Sequence, residues 1–396
     1  MDIESRQVPW ESISRIGAGQ PHPNRRSPAT PPQKIDDKIK KIAPSDPPPQ
    51  NFLHIQPPLP KMSPSATETP DGTVFTLRKV LTSESEPLAR RFRALFSLKH
   101  LACLQPPTEQ TLPAIEAIAA GFASQSALLK HELAYCLGQT RNHDSVSYLQ
   151  QVVKDVEEDA MCRHEAAEAL GALGYDDSLA ILKKLRDDEN ELEIVRETCD
   201  IAVDRIIWEN SEARKAEKLK PSDFTSIDPA PPMPLEAREP CIPDLEKTLL
   251  DTKLPLFQRY RAMFGLRDLA SPPDLPTAFD AVNALAKGLK DPSALFRHEV
   301  AFVFGQLCHP ASIPYLTECL GDLKEQGMVR HEAAEALGSL GDEEGVEETL
   351  KSFLNDPEQV VRDSVIVALD MAEFEKSGQV EYALVPNGSA PAVAAA

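Results

Sequence analysis

A chain of 396 residues, 41% hydrophobic but only 6% aromatic, is long enough for two or three conventional domains or one repeat array, and its low aromatic content suits helices packed through Ala and Leu. Its formal charge of −20 is uneven: residues 1–70 carry a net +2, so the remainder is at −22, which repels nucleic-acid phosphate and anionic lipid and attracts a basic protein or a cationic ligand. No apolar run approaches the ~20 residues of a membrane span, no signal-peptide pattern opens the chain, and seven scattered cysteines without Cys-x-x-Cys read as small core residues of a reducing compartment. The expectation is a cytoplasmic protein, with a nuclear pool allowed, that binds neither nucleic acid nor membrane.

In chain order, residues 1–71 hold most of their region's character in proline, 15 of the chain's 36 falling before residue 71, with little periodic hydrophobicity. Such a segment buries too little apolar surface to offset the entropy of ordering it and is expected to be disordered. From residue 72 the pattern becomes helices of 10–15 residues separated by short Pro-, Gly- and Asp-containing breaks. One helix of each pair aligns through Phe92-Arg93-Ala94, His131-Glu132-Leu133, His164-Glu165-Ala166 and Glu197-Thr198-Cys199, then through Tyr260-Arg261-Ala262, His298-Glu299-Val300, His331-Glu332-Ala333 and Asp363-Ser364-Val365. A period of 32–33 residues through most of this series is that of a helical solenoid, whose units bury their faces only against neighbours. The expected fold is all-α: a HEAT-like, bilin-lyase-type solenoid of eight helix pairs in two pseudo-symmetric halves, 72–208 and 241–377. A proline-rich linker, 209–240, lets the halves face one another, and a frayed tail occupies 378–396.

The string Arg-His-Glu-Ala-Ala-Glu-Ala-Leu-Gly occurs at 163–171 and again at 330–338, and a further His-Glu pair stands 33 residues before each copy. The candidate site is therefore His131, Glu132, His164, Glu165, His298, Glu299, His331 and Glu332. Adjacent residues on a helix diverge by about 100°, so a His and its Glu serve different partners. Equivalent helices of adjacent repeats pack about 8–10 Å apart, which lets His131 and His164 lean to one point and His298 and His331 to another. Facing halves would then gather four imidazoles and four carboxylates about an approximate two-fold axis. A buried His beside a Glu is more often a satisfied polar contact than a ligand, and repeats copy residues by descent. The outer repeats of each half, however, carry Arg93, Glu197, Arg261 and Asp363 instead, and inherited packing alone would not restrict His-Glu to the central repeats.

Imidazole and carboxylate without thiolate disfavour structural zinc and suit a dinuclear non-haem iron site, with zinc or manganese behind it. Glu168 and Glu335, four residues after a histidine, are further possible ligands, but Tyr135 and Phe302 take that place in the other two helices. The Lys or Arg before each pair (Lys130, Arg163, Arg297, Arg330) is either an inter-repeat ion pair or a solvated helix-start charge. The remaining histidines, His22, His54, His100, His143 and His309, show no matched spacing and read as surface or loop. There is no Gly-rich phosphate loop and no nucleophile elbow.

Four His-Glu motifs in two pairs, on HEAT-like repeats joined by a central linker, resemble deoxyhypusine hydroxylase over roughly residues 72–377. The resemblance implies a di-iron monooxygenase with two Fe(2+) per chain and O2 as co-substrate. It would act on the deoxyhypusine side chain of the hypusine-bearing eukaryotic translation factor and is expected to be a monomer. It also implies that the eight His and Glu residues take the iron-site roles. The alternatives are a non-enzymatic HEAT-repeat scaffold, which would hold no iron, and a bilin-lyase-like protein, which gives no reason for four His-Glu pairs.

Overall fold

The computed structural model describes residues 72–219, 222–234 and 241–377; the expectations for 1–71 and 378–396 lie outside them. All regular structure among the described residues is helical. The first half runs α1 (Gly72–Leu81), α2 (Leu88–Ala102), α3 (Thr111–Ala120), α4 (Ala127–Gly138), α5 (Val146–Lys154), α6 (Ala160–Leu173), α7 (Leu179–Arg186) and α8 (Glu193–Glu209). A short α9 (Glu212–Ala216) follows. The second half runs α10 (Ile242–Leu250), α11 (Leu256–Ala270), α12 (Ala278–Ala286), α13 (Ala294–Leu307), α14 (Ile313–Gly321), α15 (Gly327–Gly338), α16 (Val346–Ser352) and α17 (Gln359–Ser377). None of these helices is long and apolar enough to cross a membrane.

Five of the long helices start on a repeated device. Arg91, Arg163, Arg196, Arg259 and Arg330 lie near the starts of α2, α6, α8, α11 and α15, and each Nε donates to the carbonyl ten residues earlier, at the end of the preceding short helix. The guanidinium satisfies an orphan carbonyl and sits at the negative end of the helix dipole. Ser126, Asp159 and Ser293 accept the N–H bonds of Leu129, Met161 and Phe296 and so cap α4, α6 and α13. The residues before the histidines carry inter-repeat ion pairs: Lys130 with Glu158, Arg163 with Glu191 at 2.6 Å, Arg297 with Glu325 at 2.6 Å and Arg330 with Asp356 at 2.5 Å.

The long helices pack side by side, closely enough that small residues are obligatory at the crossings. A Cβ on Gly138 would lie 2.8 Å from the Ala169 Cα, one on Gly171 2.9 Å from the Ala202 Cα, and one on Gly338 2.8 Å from the Ala368 Cα. The Gly of the repeated nine-residue string is thus a helix-contact residue in both halves. Each half has its own apolar core, but Val367 and Met371 of α17 belong to the first core and Ile201 of α8 to the second. The solenoid therefore closes on itself, α17 against α2 and α8 against α11. Ser126 bonds Asp363 at 3.3 Å and, in the two-fold-related place, Ser293 bonds Glu197 at 2.7 Å. This closure turns α4, α6, α13 and α15 toward a common centre.

Candidate metal centre

His131, His164, His298 and His331 sit one turn into α4, α6, α13 and α15, and all four are buried. Their rings meet. The cross-half pairs His131–His331 and His164–His298 have centroids 5.1 and 5.2 Å apart, closer than the within-half pairs at 5.4 Å. All eight imidazole nitrogens are buried without a hydrogen-bond partner. Burial first, then neighbouring imidazoles, pushes His164 and His331 well below their usual range, and burial with His131 takes His298 down to about 3. These three rings are therefore neutral, with lone pairs available for a ligand. Ring closure brings the four imidazoles into one cluster, with the tightest ring pairs formed between the halves.

The glutamates divide into two sets. Glu165 Oε2 stands 3.3 Å from His131 Nε2 and 3.9 Å from His164 Nε2, and Glu332 Oε2 stands 3.4 Å from His298 Nε2. Each carboxylate reaches the imidazole of the repeat before it, the geometry expected when neighbouring His and Glu diverge around a helix. Ligand atoms of His131, His164 and His298, of His298, His331 and Glu332, and of His164, Glu165 and Glu168 gather within 4.8 Å of one another in each group. Glu132 and Glu299 turn elsewhere: Glu132 accepts a 3.9 Å contact from the Cys136 thiol, and Glu299 Oε1 has no partner. With His131, His298, Glu168, Glu335 and Asp228 they line a partly open cavity of about 30 Å³.

Burial leads the rise in the pKa of these carboxyls. Glu132 and Glu165 are pushed up to about 8, with Glu335 and Glu332 respectively adding repulsion, and Glu335 to about 7. Glu168, Glu299 and Glu332 also stand well above the ordinary range, with Asp228 adding to the first two. So many buried acids around neutral imidazoles form a region that lacks positive charge, and bound divalent metal would supply it. The orphaned nitrogens and the nitrogen–oxygen donor set both fit iron.

Two contributions were not in the sequence-derived set of eight. Glu168 and Glu335, 167 residues apart, prove to be two-fold mates on the cavity wall, as are Tyr135 and Phe302, whose rings meet edge-on at 6.1 Å. The linker is also more than a tether. Its residues Ser226–Pro229 form part of the cavity lining, as a strap tied to both halves. The Gln139 side chain exchanges two hydrogen bonds with the Ile227 backbone, at 2.8 and 3.3 Å, and Gln306, 167 residues later, donates to Ser226 Oγ at 2.9 Å. Fully buried Arg267 holds Asp228 at 2.9 Å. The repeated Gly-Gln at 138–139 and 305–306 was the available signal. Of the other histidines, His143 is exposed at the start of a one-turn 3-10 helix, His309 lies in a loop but is buried and accepts from the Ala311 N–H through Nδ1, and His100 is half-buried on α2.

Residues 112–202 and 282–370 match the HEAT repeats family. Deoxyhypusine hydroxylase of Aspergillus niger is 84% identical over 324 residues, covering 82% of this chain and 96% of that protein. That of Aspergillus oryzae is 79% identical over 338 residues, covering 85% of this chain and all of that protein. The solved structure of human deoxyhypusine hydroxylase in complex with glycerol matches with a TM-score of 0.67 at 42% identity, over 76% of this chain and 96% of that one. On the coverage and identity of these relatives, the chain belongs to the deoxyhypusine hydroxylase family.

Proposed function

We propose that the histidine-lined cavity hydroxylates the deoxyhypusine side chain of the hypusine-bearing translation factor, and that two ferrous ions sit among His131, His164, Glu165, His298, His331 and Glu332. The observation that carries this reading is the convergence of four buried imidazoles with eight unpartnered nitrogens. It favours an enzyme over a scaffold, because a purely structural core would leave eight buried polar atoms unsatisfied at substantial cost. Bound iron would supply the electrons and the open coordination positions that dioxygen activation needs.

The chain's own residues do the rest. Glu165 and Glu332 stand 3.3 and 3.4 Å from the rings of His131 and His298, and repeat packing fixes their helices. Glu132, Glu168, Glu299, Glu335 and Asp228 give the adjoining cavity an acidic wall. The substrate side chain is long and polycationic, so its ammonium groups would lower the pKa of these carboxyls and pair with them as it enters. The net charge of −20 steers a cation toward the opening, an effect that weakens with salt. Tyr135, Phe302 and the strap keep bulk water from the reacting carbon.

Replacing each of the four histidines singly with alanine tests the reading through iron content and through the mass gain of one oxygen atom on a deoxyhypusine-bearing protein. Loss of both iron and hydroxylation is expected. Retention of both in all four variants would overturn it.

A further inference from the structure

A second cavity, of about 380 Å³, adjoins the histidine cavity and shares Ser226, Ile227 and Asp228 with it. Its character is the opposite. Arg141, Arg205 and Arg214 line it beside the ring of Trp208, and the guanidinium carbons of Arg205 and Arg214 lie 5.0 and 5.2 Å from that ring. Among the described residues, the acids in its wall are Glu209 and Asp228. Asp228 is engaged by Arg267 at 2.9 Å, and Glu209 reaches Arg205 and Arg214 at 3.4 and 3.7 Å, too far for strong charge-assisted hydrogen bonds. The Arg205 side chain is 13% exposed, and its Nε, like that of Arg214, is buried with no hydrogen-bond partner.

A buried guanidinium N–H without an acceptor is costly, and this chain has no shortage of carboxylates that repeat packing could have placed there. Arg141 adds a third positive charge from a backbone at φ 54°, and the Tyr175 hydroxyl donates to its carbonyl at 3.2 Å. Three forked donors in one cavity, two of them over an aromatic ring, make a receptor for a small oxyanion, whose several oxygens accept from more than one guanidinium at once. We propose that this cavity is an oxyanion site, taking a phosphate or a carboxylate against Arg141, Arg205 and Arg214, next to the strap that also walls the catalytic cavity. The oxyanion is either free in solution or a carboxylate carried by the protein that delivers the deoxyhypusine side chain.

Trp208 is a built-in reporter, since the only other tryptophan is Trp10. In the metal-loaded full-length Trp10→Phe protein, inorganic phosphate should change Trp208 emission saturably at constant ionic strength, whereas chloride should not. Arg205→Lys keeps the charge but loses the Nε–H donor. It should weaken that response by about tenfold, as loss of one charge-assisted hydrogen bond does, with metal content and Tm unchanged. The double variant Arg205→Met/Arg214→Met should abolish the response. A second titration, in phosphate-free buffer, uses the deoxyhypusine-bearing protein. An emission change that phosphate competes away and Arg205→Lys weakens assigns the site to a partner-borne carboxylate, and a response to phosphate alone assigns it to the free anion. No saturable response to either, or one that both arginine variants retain, would show that the guanidiniums merely stack on Trp208 and would overturn the proposal. Because the readout is emission and not turnover, failure here leaves the hydroxylase reading untouched.

Discussion

At the seam where α17 meets α2, Arg93 forms a bidentate pair with Asp370 at 2.8 and 2.9 Å, joining the last long helix to the first. At the other seam, where α8 meets α11, the counterpart arginine is Arg261, 168 residues on. Across the seam it lies over the Trp208 ring at 5.7 Å, while its ion pair and hydrogen bonds go to Glu217 at 2.6 Å and the Pro232 carbonyl at 3.1 Å, both in the linker. The centre between the seams is nearly a copy of itself, with His131–Glu165 at 3.3 Å against His298–Glu332 at 3.4 Å. The difference has a physical cause. The linker makes the second seam covalent, so its arginine is released to anchor the strap; the first seam joins residues 277 apart in sequence and needs a direct ion pair. Symmetry is kept where the four histidines meet and given up where chain connectivity breaks it.

The largest effects should come from testing the symmetry of the centre. His131→Ala and His298→Ala should each weaken metal affinity by more than the roughly 10–100-fold that loss of an outer partner costs, and by similar amounts. Iron analysis after dialysis measures this. A loss confined to one variant would break the equivalence of the halves. Removing iron by chelation should also lower Tm, because a ligand bound only to the folded state stabilises it by mass action; an unchanged Tm would contradict the site.

Next in size are the helix crossings. Valine at Gly171 or at Gly338 would drive a branched side chain into the backbone of Ala202 or Ala368. Overpacking of this kind costs about 1–3 kcal/mol, and the two variants should lose similar stability in denaturant unfolding. If Gly338→Val were neutral, the contact would have to be looser than the geometry shows.

The repeat period, the placement of every histidine-bearing helix and the two-fold pairing were legible in the sequence, because a 33-residue spacing and a 167-residue offset are properties of the chain itself. The closed ring was not. Nothing in the composition of α17 says that Val367 and Met371 will join the first core. The spacing pairs Glu168 with Glu335 and Tyr135 with Phe302, but it does not say that all four wall one cavity. The strap was hidden for a different reason. Proline-rich segments carry no periodicity, and what docks this one is side chains far away in sequence: Gln139, Arg267 and Gln306.

The two seams can be separated by a pair of smaller effects. Arg93→Met removes a partly buried bidentate pair and should cost about 1 kcal/mol, with iron lost more readily because α4 and α15 are held together through the closed ring. Arg261→Met should leave iron in place and instead loosen the strap, raising KM for the protein substrate more than it lowers kcat. Reversal of these two phenotypes would mean that the linker, not the Arg93–Asp370 pair, holds the ring shut.

The smallest effect lies in acid and concerns the repeat ion pairs. Arg163 holds the Glu191 carboxyl below its ordinary value of 4.5, chiefly through its hydrogen bonds. A carboxylate with a lowered folded-state pKa contributes stability that is fully present above its unfolded value and is lost as pH falls through the folded one. The same sign holds for Glu217 against Arg261. Glu191→Gln should therefore lower Tm at neutral pH, where the charged pair is lost, but should show a shallower decline than the parent once pH drops below about 4.5. The parallel change Asp356→Asn removes the more buried partner of Arg330, 2% exposed against 7% for Glu191. It leaves a guanidinium with less access to water, so the neutral-pH loss should be greater in the second half than in the first. Equal losses would mean that burial does not separate the two pairs, and an acid slope unchanged by Glu191→Gln would remove this carboxylate from the acid response.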